Sequence, residues 1–265
     1  MGQIGYFFNL ILVWPITTVL VAIYKSLVFI HVPYALGFSI IILTVIIRFL
    51  LYPLISSQLR ASKKMQEIAP HISKLRDRHK GDAKMLQQET MRLYKEHGVN
   101  PAAGCLPVFI QLPVIWALYT VLQQIVQVSP AQAIAYINKS VYFASFLKIS
   151  GNWNQTFFGL PLGQTPGQLL PKIGILILLV PIITGLFQFI QSKMMFPKKE
   201  KVEKDKQKKE DFASAFQSQS LYIFPIMIAF FSYSFPIGLS LYWNTFTVFG
   251  IIQQYQISGL GGLKK

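Results

Sequence analysis

Five apolar runs along the chain are each long enough to cross a membrane, which takes about 20 residues as a helix. We place them at 34–56, 105–127, 172–193, 218–235 and 237–258. Prolines lie within or beside all five runs, and a membrane bundle tolerates them because neighbouring helices can satisfy the freed backbone groups. The pattern predicts an all-α integral membrane protein with five transmembrane helices. With 52% hydrophobic and 13% charged residues, the composition is too apolar for an ordinary soluble domain.

The positions of the charges predict how the chain is oriented in the membrane. Of 25 Lys and Arg residues, ten fall between Arg60 and Lys95, so the positive-inside rule places segment 57–104 in the cytoplasm. Segment 128–171 is then extracytoplasmic and holds only Lys139 and Lys148. Threading the remaining spans gives a cytoplasmic basic loop at 194–217 and a cytoplasmic tail at 259–265. We therefore expect a multi-pass protein of the bacterial cytoplasmic membrane with its C-terminus inside.

Residues 1–33 hold another apolar stretch, interrupted by Pro15 and Lys25. If it crossed the membrane it would have to begin in the cytoplasm, because the following span begins outside. Its aromatic residues Tyr6, Trp14 and Tyr24 are of the kind enriched at membrane interfaces. We interpret the stretch as an amphipathic helix on the outer interface, with a sixth span as the alternative.

Segment 57–104 reads as a cytoplasmic helical hairpin, with helices near 58–79 and 83–97 that end at Gly98 and Pro101. Its basic side chains are candidates for contact with lipid headgroups or ribosomal RNA, and a merely solvated face is the alternative. The candidate contact residues are Arg60, Lys63, Lys64, Lys74, Arg76 and Arg78.

Arg48 is the residue that points most directly to function, because it lies in the middle of the first span. A cation at the bilayer centre costs at least about 3 kcal/mol on insertion scales, so it should face a bundle interior or a water-filled cavity. All ten acidic residues lie outside the predicted spans, so no carboxylate within them can pair with it. We expect Arg48 to sit in a hydrated polar groove, and snorkelling to a headgroup is the alternative.

Other polar residues in the spans are candidates to line this groove. Thr44 and Tyr52 lie one helical turn on either side of Arg48 and would share its face. Gln111 in the second span, and Tyr242 and Trp243 in the fifth, lie in apolar surroundings. Each alone would more simply be a hydrogen-bonding contact between helices. The presence of Arg48 favours the interpretation that these residues line the groove.

Signatures of enzymes are absent from the sequence, with no phosphate-binding glycine loop, zinc-binding histidine pair or nucleophile elbow. We therefore expect no catalytic residue, no metal and no cofactor. The single cysteine, Cys105, excludes an intrachain disulfide.

Three stretches resemble YidC-type membrane protein insertases, of the YidC, Oxa and Alb superfamily. Residues 100–113 resemble the second core span of that family, and Thr44, Arg48, Tyr52 and Pro53 resemble its groove helix. The run from Phe235 to Trp243 is similar to its closing hairpin. The resemblance implies five helices around a groove that is open to the cytoplasm and to lipid. It implies the short form, without a large outer domain, with Arg48 as the positive centre of the groove.

The function implied is insertion of nascent membrane proteins, which enter the groove and leave sideways into the bilayer. Implied partners are those nascent proteins, the ribosome or targeting machinery, the lipid bilayer and possible association with the Sec translocon, but no sequence-specific nucleic acid. A small-anion channel or transporter that uses the same arginine is the alternative from another class. A structural assembly scaffold is a third interpretation.

Overall fold

A computed structural model describes residues 3–79, 81–98, 106–195 and 212–263, and the side chains of 3, 4, 76, 83, 106–110, 144 and 212–220 lie outside it. The described chain is helical apart from one short β-hairpin, in which Thr156 and Phe157 pair antiparallel with Pro161 and Leu160. The predicted all-α class is confirmed.

The helices follow one another along the chain in three parts. The N-terminal part comprises α1 Gln3–Phe8, a π-helical turn Asn9–Val13, α2 Trp14–Phe29, α3 Ala35–Leu50, α4 Tyr52–Arg78 and α5 Ala83–Glu96. The middle part comprises α6 Leu106–Ile125, α7 Pro130–Ser140, α8 Ala144–Leu147, β1 Thr156–Phe157, β2 Leu160–Pro161 and α9 Pro166–Ile173. The last part comprises a 3₁₀ turn Ile175–Leu178, α10 Leu179–Met195, α11 Phe212–Ser234, α12 Ile237–Ser258 and a 3₁₀ turn Gly261–Leu263.

Each predicted span overlaps a helix, namely α3, α6, α10, α11 and α12 in turn. By length and composition, two stretches among the described residues suffice to cross a membrane, Gly5–Phe29 and Ile175–Met195. A third qualifies if the bent pair of α3 with the first part of α4 forms one span. The five-span topology therefore stays a prediction.

The first predicted span, 34–56, is bent rather than straight. Helix α3 ends at Leu50, α4 begins at Tyr52, and their axes differ by 64°. Pro53 lies in the first turn of α4, where its missing N–H leaves no helical bond unmade, but its ring would clash with the carbonyl of a continuous helix. The expected stripe of Thr44, Arg48 and Tyr52 therefore has a bend between Arg48 and Tyr52.

The two helices predicted for the cytoplasmic hairpin match α4 and α5, although α4 begins earlier than expected, at Tyr52. Asp82 caps α5, since its carboxylate accepts a 2.9 Å hydrogen bond from the Met85 backbone. The end of α10 touches the hairpin, where the Gln66 amide donates to the Met195 carbonyl at 2.6 Å.

The buried core joins α2, α3, α6 and α12 to segment 128–171. Trp153 is 1% exposed, donates from Nε1 to the Ile125 carbonyl at 2.7 Å, and packs its ring 4.4 Å from that of Tyr24. Helix α12 meets the same core through its first turn, where the backbone N–H of Gly238 donates to Leu162 at 2.8 Å. Segment 128–171 is thus an ordered cover over one end of the helices.

The N-terminal helix touches this cover along its length. Tyr142 donates its hydroxyl to the Leu10 carbonyl at 2.9 Å and its backbone N–H to the Thr18 hydroxyl at 3.0 Å. Further along α2, the Lys25 ammonium donates to the Phe146 carbonyl at 2.6 Å. Whether the helix lies on the interface or crosses the membrane stays a prediction, since Gly5–Phe29 is long and apolar enough to span.

Candidate functional site

Arg48 leaves α3 and ends against α12, with only 2% of the residue exposed. Its Nη2 donates a 2.5 Å hydrogen bond to the Phe246 carbonyl, and its guanidinium carbon lies 3.4 Å from the centre of the Phe246 ring. A carbonyl and an aromatic face are the partners that a guanidinium finds when no carboxylate is near. One residue of α12 therefore holds the cation from two directions.

Gly250, one turn after Phe246, makes this close approach possible. A Cβ atom at this position would overlap the terminal nitrogen of Arg48 and the amide nitrogen of Gln191. Glycine within a helix costs about 1 kcal/mol relative to alanine, so it needs a local reason. Here the reason is the space that the guanidinium and the Gln191 amide occupy.

One face of α12 carries the polar contacts of the site at helical spacing. The Gln111 amide of α6 donates to the Tyr242 hydroxyl at 2.7 Å, and Tyr242 is 1% exposed. The rings of Tyr242 and Phe246 lie 5.8 Å apart, so this pair links Gln111 to Arg48. The structure thus brings together three of the predicted site residues, Arg48, Gln111 and Tyr242.

Gln253 extends the same face of α12 towards the bend between α3 and α4. Its amide donates to the Tyr52 carbonyl at 3.3 Å and to the Ser56 hydroxyl at 3.1 Å. Tyr52, a predicted site residue, therefore meets α12 through its backbone.

Several buried polar atoms of this region have no hydrogen-bond partner within the described protein. They are Nε of Arg48, Oδ1 of Asn244, and the Oε1 atoms of Gln253 and Gln254. An unsatisfied buried polar group costs about 1 to 3 kcal/mol, and such groups are usually met by water or a ligand. All four atoms lie on α12 or against it, and Nε of Arg48 lies at the α3–α12 contact itself, where a further polar partner is favoured.

Two predicted site residues lie apart from this cluster. Thr44 is 0% exposed, and its hydroxyl bonds back to the Ile40 carbonyl at 2.6 Å within α3. Trp243 lies on a neighbouring face of α12, where its Nε1 donates to Gln188 at 3.3 Å. Neither contact shows a role with a client, so their groove role stays a prediction.

The structure differs from the expectation that Arg48 lies open to water. The guanidinium is enclosed by α12 because Phe246 supplies an acceptor and an aromatic face in place of the absent carboxylate. With 2% of the residue exposed, Arg48 does not extend to the surface of the described protein, whereas snorkelling would require it to do so. The site as described is a closed polar contact between α3 and α12, which we call the Arg48 seat: Arg48, Gln191, Phe246 and Gly250.

On the hairpin, five of the six predicted basic contacts are exposed, and the Arg76 side chain lies outside the described residues. A cleft of about 360 Å³ separates the hairpin helices. Lys74 and Arg78 line it from α4, and Arg92 lines it from α5 with Glu89 and Glu96. Arg92 pairs with Glu96 at 2.9 Å, so the cleft carries both signs of charge.

Sequence reasoning missed Phe246, Gly250, Gln191 and Gln253. The signal that identifies three of them is spacing: positions 246 and 250 follow Tyr242 at intervals of four, and 253 continues that face. Cys105 and residues 100–104 of the family motif lie outside the described residues. Among the described residues, no group of His, Cys, Asp and Glu is placed to hold a metal ion.

Comparisons with known proteins identify the family. The family model described as 60Kd inner membrane protein matches residues 28–261. The chain is 32% identical over 225 residues to "Membrane protein insertase YidC" of Fusobacterium nucleatum, covering 85% of this chain and 87% of that protein. It is also 32% identical over 251 residues to "Inner membrane protein ALBINO3, chloroplastic" of Arabidopsis thaliana, covering 89% of this chain and 49% of that protein.

A solved structure agrees with these relatives. The chain resembles "Active YidC insertase crystal structure with the first transmembrane domain resolved", with a TM-score of 0.52 and 25% identity over 88% of this chain. The chain spans 46% of that protein, and 49% of the Arabidopsis relative. The resemblance to YidC-type insertases seen in the motifs is thereby confirmed. This helical membrane protein belongs to the 60Kd inner membrane protein family.

Proposed function

We propose that this protein is a membrane protein insertase, which receives nascent membrane proteins and releases their helices into the bilayer. The observation that carries the proposal is the Arg48 seat, a cation buried in an apolar bundle without a carboxylate partner among the described residues. The names of the relatives support the activity, since the Fusobacterium protein is named an insertase. No nucleotide or cofactor takes part in the proposed step.

The proposed first step is an exchange of partners at Arg48. In the closed seat, the guanidinium has one hydrogen bond to a neutral carbonyl, and its Nε has no partner. A carboxylate in the client's leading segment offers two parallel charge-assisted hydrogen bonds, which are roughly twice as strong as neutral ones. An acidic client segment would therefore displace the Phe246 carbonyl as α12 parts from α3.

Opening the same contact would wet the unpartnered atoms of α12. The side-chain oxygens of Gln253 and Gln254 would then bind water or the backbone N–H groups of the client. Polar client residues would pass part of the bilayer in this polar path, which lowers the cost of their transfer. Burial of the client's apolar helix in lipid, at about 25 cal/mol per Å², would drive its release.

The membrane potential assists the same step. With the outside positive, an acidic segment that crosses is favoured by about 2.3 kcal/mol per charge per 100 mV. Clients with acidic leading segments should consequently depend on Arg48 and on the potential together.

The proposed topology is five spans with the hairpin and C-terminus in the cytoplasm, in a bacterial cytoplasmic membrane. The exposed basic residues of the hairpin, Arg60, Lys63, Lys64, Lys74 and Arg78, support a role in receiving clients from the ribosome or targeting machinery, with Sec association as a further proposal. For the N-terminal helix we keep the outer interfacial position. Support comes from its contacts with residues 142–146, which reach from Leu10 to Lys25.

Reconstitution into proteoliposomes without nucleotide tests the proposal. Insertion of a client with an acidic leading segment should fall at least tenfold with Arg48→Ala and much less with Arg48→Lys, because lysine keeps the charge. Lys25→Ala is the matched control, since Lys25 is also a cation held by backbone carbonyls but lies at the outer segment. Equal activity of the Arg48→Ala and Arg48→Lys proteins would reject the electrostatic step.

The anion-channel alternative gains no support from the structure or from the relatives described above, none of which is named a channel or transporter. The contacts of the enclosed Arg48 with Phe246 would also have to break for each passing ion. Steady anion flux through the pure protein, without client, is the result that would restore this alternative.

A further inference from the structure

A second polar site lies in segment 128–171, remote from the Arg48 seat. Here a cavity of about 560 Å³ opens between the end of α6, the stretch before β1 and the stretch after β2. This volume falls within the range of small-ligand sites in proteins. Five amide side chains line it: Gln127, Asn152, Asn154, Gln155 and Gln164.

The chemistry of the lining restricts what can bind. Among the described residues no ionisable side chain lines the cavity, so the lining offers no charged group to phosphates, carboxylates or metal cations. Amide groups donate and accept hydrogen bonds, as the peptide backbone does. The cavity therefore suits an uncharged ligand that carries both donors and acceptors.

The side chain of Gln164 has an acceptor atom without a hydrogen-bond donor in the described protein. Gln164 lines the cavity, yet its Oε1 is buried and has no hydrogen-bond partner in the described protein. The terminal torsion of glutamine rotates easily, so this oxygen can turn into the cavity when a donor arrives. Other amides are already engaged: Gln155 donates to the Ile125 and Val128 carbonyls at 2.8 and 2.9 Å. These bonds fix the wall and leave Gln164 unsatisfied.

The burial of Trp153, the aromatic residue at the cavity, favours a peptide over a saccharide as the ligand. Sugars commonly bind by stacking on an exposed aromatic face, but Trp153 is 1% exposed and packed on Tyr24. The stretch Asn154–Thr156, by contrast, leads into β1. Among the described residues β1 pairs with β2 along one edge and with no other strand along its second edge. An extended peptide can add hydrogen bonds along such an edge.

We infer that the amide-lined cavity beside Gln164 binds an uncharged, extended polar peptide segment at the outer surface. This inference rests on the proposed function, because the natural ligand would be the part of a client that has just crossed the membrane. Binding there would hold the emerged segment and oppose its return while the client's helix leaves for the lipid.

The test uses the full-length protein in detergent, with a fluorophore at Asn152→Cys in a Cys105→Ser background. The probe is a twelve-residue peptide of Ser, Asn, Thr and Gly, compared with the same peptide carrying four Asp and with a soluble chitin oligosaccharide. Saturable binding of the neutral peptide alone is expected. Equal binding of the acidic peptide, preference for the saccharide, or no saturable binding would overturn the inference.

Two variants separate a binding role from a structural one. Gln164→Met removes the acceptor at similar size and should weaken peptide binding about fivefold, the usual effect of one neutral hydrogen bond. Gln124→Met makes the same change at an exposed residue of α6 that does not line the cavity, and should leave binding unchanged. Equal effects of both changes, with both proteins equally stable to heat, would also overturn it.

Client insertion is measured with the same unlabelled preparation in proteoliposomes. Insertion without peptide binding would reject this inference and leave the proposed function intact. Peptide binding without insertion would reject the proposed function and leave the cavity as a peptide site.

Discussion

Replacing Gly250 with alanine is expected to lower the free energy of unfolding by an amount that follows from the contacts of the Arg48 seat. Alanine there would place a Cβ in the space held by the Arg48 guanidinium and the Gln191 amide, so the seat must open or α12 must shift. Loss of the hydrogen bond from Arg48 to Phe246 costs about 1.5 to 3 kcal/mol for a charged donor. Loss of the desolvated cation–π contact costs about 2 kcal/mol more.

Alanine also offers a gain that must be subtracted. Its better helix propensity stabilises the folded state by about 1 kcal/mol relative to glycine. The expected net loss from Gly250→Ala is therefore about 2.5 to 4 kcal/mol. The assay is denaturant unfolding in micelles, followed by circular dichroism. Gly5→Ala is the control, because a Cβ there meets no atom within 4 Å, and its protein should be as stable as the wild type or slightly more so.

A double-mutant cycle identifies the cause of the loss. In an Arg48→Ala background the guanidinium is gone, so Gly250→Ala should cost at least about 1 kcal/mol less than it does in the wild type. An unchanged cost in that background would refute the idea that Gly250 serves the Arg48 seat. So would a Gly250→Ala protein as stable as the wild type.

The remaining predictions concern single contacts. Tyr242→Phe leaves the Gln111 amide without its acceptor and should cost about 1 to 3 kcal/mol in the same unfolding assay, part of which Gln111→Leu should restore. Asn138→Ala removes two hydrogen bonds to the Ile149 backbone, at 3.1 and 2.9 Å, and should speed proteolysis of segment 128–171 severalfold while α12 stays protected. Burial raises the pKa of the Tyr136 phenol, so as pH rises the unfolded chain loses this proton before the folded protein does. The contribution of Tyr136 to the free energy of unfolding is therefore full below about pH 10 and is lost as pH rises through the raised pKa. Tyr136→Phe should make that alkaline loss shallower, and an unchanged profile would contradict the assignment.

Hydrophobic runs and charge blocks predicted helices in the spans, the N-terminal stretch and the hairpin, but not α7, α8 or α9. Helix α12 covers 237–258, the range predicted, because the Phe235–Pro236 turn and Gly259 mark both ends in the sequence. The hairpin helices followed from a polar segment that is closed by Gly98 and Pro101. Such features depend on local composition, which can be read from a single sequence.

The partners of Arg48 depend on how distant helices rotate against one another, which composition does not specify. Arg48 and Phe246 are 198 positions apart, and an aromatic residue in an apolar run gives no sign that its carbonyl will be used. The bend after Leu51 was missed for a related reason. Pro53 permits a kink, but its angle is set by the packing of α4.

The closed seat explains how a protein with the proposed insertase activity can keep a buried cation without a permanent pore. A guanidinium that was always wet would require a standing water path through the bundle, whereas here the Phe246 carbonyl and ring cover it at rest. A client can shift this equilibrium only by binding the open state better than the closed one, and a carboxylate does so through Arg48. Destabilising the seat without removing the charge should then separate stability from function. Gly250→Ala should lower the free energy of unfolding yet retain insertion of acidic clients, whereas Arg48→Ala should abolish that insertion whatever its stability. Loss of insertion in both proteins, with both still folded, would mean that the seat itself, and not its opening, is what insertion requires.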